Sequence, residues 1–142
     1  MFDFKSHLLC QRIWSAQTFG PSDRTKGVVD HIRKELHEIV AAKASVDLAE
    51  ASGHDGTPQR VALTGEWIDV VILALDGAWR SGATPDQIIE ALVAKQAKNE
   101  ARTWPDWRTM SEDKAIEHDR SADNEVAARE HHDNIRHAMG HK

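Results

Sequence analysis

An all-α fold, a four-helix bundle followed by a further C-terminal helix or a tail, is predicted by three observations. Apolar residues recur at three- and four-residue intervals through the N-terminal part of the chain. Period-two strand patterns are absent. Breaks containing glycine or proline at residues 19–23, 51–58 and 82–85 divide the periodic sequence into helix-length pieces.

The first helix is expected from about Asp3 to Gln17, with Phe4, Leu8, Leu9, Ile13 and Trp14 at helical spacing. Phe19-Gly-Pro-Ser-Asp23 is a turn, and Ser22 or Asp23 can cap the next helix. That second helix runs from about Arg24 into the Ala41–Ala44 region, with Val28, Val29, Ile32, Leu36, Ile39 and Val40 as its apolar face. Two glycines and a proline make Ala51–Pro58 a surface loop. The third helix is expected from about Arg60 to Arg80, ending at Gly82. Thr84-Pro-Asp-Gln87 then reads as a capping box with proline at the first helical position. The fourth helix continues to about Arg102, where Trp104-Pro105 stops it. Residues 1–110 form the expected domain. Residues 111–142 are a charged, His-rich extension, helical at most in part over Asp113–Ala138.

With 142 residues, 40% apolar and 29% charged, the chain suits one globular domain. A net charge of -5 gives no general attraction to nucleic acid. Cys10, the single cysteine, excludes an intrachain disulfide and a Cys-rich zinc site, and reads as a small core residue. A reducing cytoplasmic setting is expected. No signal peptide is evident. The longest apolar run is interrupted by Asp69 and Asp76 and is too short for a bilayer.

Two carboxylate pairs dominate the chemistry: Glu35-Leu-His-Glu38 and Glu66-Trp-Ile-Asp69. Each is spaced i, i+3, which places both acids on one helical face. The second pair opens an almost wholly apolar stretch that looks buried on most sides. An unpaired buried charge costs several kcal/mol or more. If the second and third helices pack antiparallel, the four acids meet across the seam. Two Mg2+ or Mn2+ ions would answer that charge, which points to phosphate chemistry. Glu35 and Glu38 by themselves read equally well as a solvated face beside Arg33 and Lys34. A di-iron bundle would need Glu-x-x-His motifs, and the chain has none. Asp76, two turns beyond Asp69, either contacts a ligand or bonds a neighbouring helix.

Lys95, Lys98, Asn99 and Arg102 fall on one face of the fourth helix, a cradle for a polyphosphate beside a metal cluster. Trp104 and Trp107 either plug the bundle or border a nucleotide. On the first helix a purine could stack on Trp14 while Gln11 or Ser15 reads its edge, or Trp14 is simple core. His118, His131, His132, His137 and His141 are irregularly spaced and read as solvated tail residues.

Glu35-x-x-Glu38, Glu66-x-x-Asp69 and Lys95-x-x-Lys98-Asn99 resemble the MazG-like all-α nucleoside triphosphate pyrophosphohydrolases. The chain is most similar to their dATP/dGTP pyrophosphohydrolase branch, which includes phage MazZ proteins. The likeness is carried by Gln11–Ser15, Phe19–Gly27, His31–Leu36, Glu66–Trp79 and Ala91–Trp107, and covers about residues 7–110. It implies a MazG-like bundle binding Mg2+ through Glu35, Glu38, Glu66 and Asp69. It also implies cleavage of dGTP or dATP between the α and β phosphates, and a homodimer or tetramer. On this reading Glu38, with Glu35 next, orients the attacking water, and Lys95, Lys98, Asn99 and Arg102 neutralise the pyrophosphate. Gln11, Trp14, Ser15 and Asp76 are the base-binding candidates. A phage or prophage origin, with a role in precursor supply for a modified genome or in pool cleaning, goes with the same likeness. Two departures stand out. The segment Ala51–Gly65 is longer than usual in the branch, and the tail beyond about 116 has no counterpart. Two rival readings stay open: the same fold acting on dUTP, dCTP or a damaged nucleotide, and a metal-free helical interaction module.

Overall fold

The structure, a computed structural model, describes residues 2–121. Four α-helices account for most of it: α1 (Phe4–Phe19), α2 (Thr25–Ala51), α3 (Thr57–Arg80) and α4 (Pro85–Glu100), followed by a 3-10 turn at Trp107–Thr109. No strand occurs among the described residues, so the all-α expectation holds. No helix among them is long and apolar enough to cross a membrane.

The helix boundaries follow local chemistry. Asp3 accepts the backbone N–H groups of Lys5 and Ser6 and so caps α1. Gly20, at φ +85°, ends that helix in a conformation that favours glycine. Asp23 accepts the Thr25 amide at 2.8 Å and its hydroxyl at 2.6 Å, and thereby starts α2. That helix runs to Ala51, about two turns past its expected end. The stretch Ala41–Ala51 is alanine-rich as a whole, Val46 within it is buried, and Lys43 pairs with Asp47 at i, i+4. The loop is correspondingly short. Asp55 accepts the Thr57 amide at 2.9 Å to start α3, and Glu50 and Arg60 pair across the hairpin. The capping box before α4 forms as expected: the Thr84 amide donates to Gln87 Oε1 at 2.9 Å, and the Gln87 amide donates to Thr84 Oγ1 at 3.3 Å.

The chain comprises two compact units, Met1–Val93 and Ala94–Lys142. In the first, α2 and α3 pack as a long hairpin and α1 lies against α3. Leu8, Leu75 and Ile88 form the buried cluster, with Phe4, Ala78, Trp79, Ala83 and Ile89 against it. Several expected core positions lie elsewhere. Leu9, Ile13 and Trp14 on α1, and Trp67, Ile68 and Val71 on α3, are exposed. The third helix is thus not buried on most sides: Trp67, Ile68 and Val71 stay exposed although α3 meets both α2 and α1. Cys10 is also exposed rather than core, being off the Leu8–Ser15 face of α1. In the second unit Trp104 and Trp107 are exposed and plug nothing, although the Trp104 indole donates to the Asn99 carbonyl at 2.8 Å and meets the His118 ring. Residues 113–120 form no helix. His131, His132, His137 and His141 lie outside the described residues.

Candidate active site

The α2–α3 hairpin brings the two acidic motifs together. Carboxylate oxygens of Glu35, Glu38 and Glu66 lie within 4.8 Å of one another. Glu35 is buried, Glu66 half-buried and Glu38 exposed. Antiparallel packing explains the meeting, since it sets the face of α2 that carries Glu35 and Glu38 against the face of α3 that carries Glu66. Asp69 stands beside this group and not within it: it is exposed, yet its charge is felt at Glu66. Desolvation first, then the negative charges of Glu38, Glu35 and Asp69, push the Glu66 carboxyl above the usual glutamate range, and a hydrogen bond to Glu38 adds to the shift. The cluster is therefore short of positive charge. Three converging hard oxygen donors with a fourth carboxylate alongside fit a divalent cation of the Mg2+ class.

His31, to which sequence reasoning gives no role, sits one turn before Glu35. Its Nε2 lies 2.9 Å from Glu35 Oε1. The i, i+4 spacing is the available signal.

Beside the acids, α1, α2 and α3 enclose a cleft of about 250 Å3. Gln11, Trp14, Ser15 and Phe19 line it from α1, His31 and Glu35 from α2, and Asp69, Ile72, Leu73 and Asp76 from α3. Ligand pockets commonly span ~300–1,000 Å3, so the cleft suits one part of a nucleotide better than the whole. Trp14 and Phe19 meet edge to face at 5.5 Å on its wall. Trp14 is 54% exposed, which sets aside the simple-core reading. The Gln11 amide donates to the Ile72 carbonyl at 2.8 Å, across the α1–α3 seam.

Ser15 and Asp76 line the same cleft, but their polar atoms are already engaged. The Ser15 hydroxyl donates to Asp76 Oδ1 at 2.5 Å, and the Trp79 indole donates to the same oxygen at 2.7 Å. Asp76 Oδ2 accepts from Arg80 Nε at 2.7 Å, and Arg80 Nη2 donates to Ser15 Oγ at 2.8 Å. Of the two roles open to Asp76 in the sequence, the bond to a neighbouring helix is the one observed. Arg80, its side chain fully enclosed, is the member sequence reasoning misses.

Lys95, Lys98, Asn99 and Arg102 belong to the second unit. Both lysines are exposed. Arg102 lies past the end of α4 and donates to Asn99 Oδ1 at 2.9 Å.

Residues 56–124 match the family model described as dATP/dGTP pyrophosphohydrolase. The match takes in Glu66, Asp69, Asp76 and the Lys95–Arg102 segment, while α1 and the Glu35–Glu38 pair precede it. Among curated proteins and solved structures, nothing matches the chain.

Proposed function

We propose, from the match of residues 56–124 to the dATP/dGTP pyrophosphohydrolase family model, that the chain is a nucleoside triphosphate pyrophosphohydrolase of that family and converts dGTP or dATP to the nucleoside monophosphate and pyrophosphate in a Mg2+-dependent reaction. The observation that carries this reading is the convergence of Glu35, Glu38 and Glu66, of which Glu35 also lines the aromatic cleft. Mg2+, or Mn2+ in its place, would be held by Glu35, Glu38, Glu66 and Asp69 and would supply charge neutralisation of the phosphates and acidification of water.

The chain's own groups then divide the work. Glu38, the exposed member of the cluster, takes the proton of the attacking water. That water forms a new bond to the α-phosphorus as the bond to the α–β bridging oxygen breaks, and pyrophosphate departs. Glu35 is held by His31, so its carboxylate keeps one orientation toward the cluster. Trp14 offers a face for the base and Gln11 a polar edge beside it. Lys95, Lys98, Asn99 and Arg102 neutralise the departing pyrophosphate, a role supported by the common face of the first three and by their place within the matched residues.

The test is turnover of all common nucleoside triphosphates with and without Mg2+, with products identified. Pyrophosphate and dGMP or dAMP are expected. Release of orthophosphate, or equal rates in the presence of a chelator, would overturn the reading. Glu38→Gln should lower kcat by at least about 100-fold while leaving the helical circular dichroism unchanged. Near wild-type activity would remove Glu38 from the mechanism. Lys95→Ala and Lys98→Ala should each raise KM several-fold at nearly constant kcat, and an unchanged KM in the double variant would remove this face from substrate binding.

A further inference from the structure

Apolar burial does not hold the C-terminal half of α1 in place. Ile13, Trp14 and Phe19 are exposed, and the buried apolar contact between α1 and α3, Leu8 with Leu75, lies toward the other end of the helix. Residues 15–22 are tied to α3 by polar bonds, and most of these meet at Arg80. Its Nε donates to Asp76 at 2.7 Å. Its Nη1 donates to the carbonyls of Gly20 at 2.9 Å and Ser22 at 2.8 Å. Its Nη2 donates to Ser15 Oγ at 2.8 Å. The guanidinium also lies 4.5 Å from the centre of the Trp79 ring. One side chain thus joins the end of α1, the turn after it and α3.

We propose that Arg80 is a positioning residue for nucleotide binding: by clamping Ser15 and the Gly20–Ser22 turn to α3, it fixes Trp14 and Phe19 as the wall on which the base seats. The inference rests on the reading of the cleft as the nucleoside site. Arg80 is absent from the lining of that cleft and touches no substrate in this scheme. It also lies 11 residues beyond Asp69 on α3, about 16 Å along the helix, and its hydrogen bonds go to Asp76, Ser15, Gly20 and Ser22 rather than to any of the four acids. The planar fork matters. Arginine can reach a carboxylate, a hydroxyl and two carbonyls from one rigid group, whereas lysine offers a single ammonium.

Arg80→Lys keeps a cation for Asp76 and removes the fork; Arg80→Gln removes the charge and keeps a donor. The experiment combines steady-state release of pyrophosphate from dGTP and dATP, in Mg2+, with amide hydrogen exchange. For the Lys variant we expect KM to rise roughly tenfold with kcat within about twofold, since about one to two hydrogen bonds of positioning are lost. Exchange across residues 13–22 should accelerate, while residues 35–38 and 66–69 remain as in wild type. An unchanged KM, a kcat loss at constant KM, or unchanged exchange at 13–22 each overturns the proposal. So does collapse of the helical signal in both variants, because Arg80 would then support the fold as a whole. If wild type itself releases no pyrophosphate, the functional reading fails on its own, and exchange at 13–22 still reads the clamp.

Discussion

Glu66 shows how single residues report on the site. Desolvation and the neighbouring charges of Glu38, Glu35 and Asp69 raise its carboxyl pKa above the 4.5 of an ordinary glutamate. The folded chain therefore binds this proton more tightly than the unfolded chain does. Folding loses stability on that account as pH rises from the ordinary glutamate range through the raised value, and the loss is complete above it. Glu66→Gln removes the titration and nearly keeps the shape. In metal-free buffer the variant should melt higher than wild type at neutral pH, and the gap should close as the pH is lowered through that window. Millimolar Mg2+ should raise the wild-type Tm at neutral pH, by binding the folded state alone, and should raise the variant's much less. Melting curves between pH 4 and 8, with and without Mg2+, decide the matter. Equal Mg2+ shifts in the two proteins would mean that Glu66 holds no metal.

Among the elements, the α1–α3 seam is the informative one, because a buried ion pair lies within it. Asp76 and Arg80 are both buried, and removal of one partner strands the other's charge. Asp76→Ala should cost about 3–5 kcal/mol, which for a domain of this size lowers Tm by roughly 10 °C or more. The double change Asp76→Leu with Arg80→Met should cost less, since no charge is left uncompensated. A single variant as stable as wild type would contradict the burial of the pair. This seam also marks where sequence reasoning stops. The four helices, the capping box at Thr84–Gln87 and the convergence of Glu35, Glu38 and Glu66 across a hairpin all follow from spacing along one chain. The Arg80 hub does not, because two of its acceptors are carbonyls of Gly20 and Ser22, and backbone oxygens carry no sequence signature. The length of α2 escapes the sequence for a related reason. Its last two turns are short of large apolar residues, so periodicity fades before the helix ends. Trp14 is ambiguous in the sequence because an apolar stripe tells which face is apolar and not what covers it.

For the molecule as a whole, the large apolar surface left open is the main physical problem. Among the described residues only Leu8, Val28, Ile39, Val46, Leu75 and Ile88 are buried hydrophobics, a thin core for helices of this length. Trp67, Ile68 and Val71 lie within about one turn of each other on α3, all about half exposed. Full burial of such side chains contributes about 1.5–3 kcal/mol each, so covering them against a second copy of the chain would supply stability that one chain lacks. Closed symmetric pairing is the commonest way a chain covers such a face. Light scattering at micromolar concentration should therefore give a dimer or tetramer. Trp67→Lys combined with Val71→Lys should shift the mass toward the monomer and lower the Tm. Because the contact is apolar, raising the salt concentration should not dissociate the wild type, whereas assembly through the charged faces would weaken with salt. A wild type that scatters as a monomer, or a double variant that keeps the wild-type mass, would remove this face from assembly and leave the exposed tryptophan without a partner.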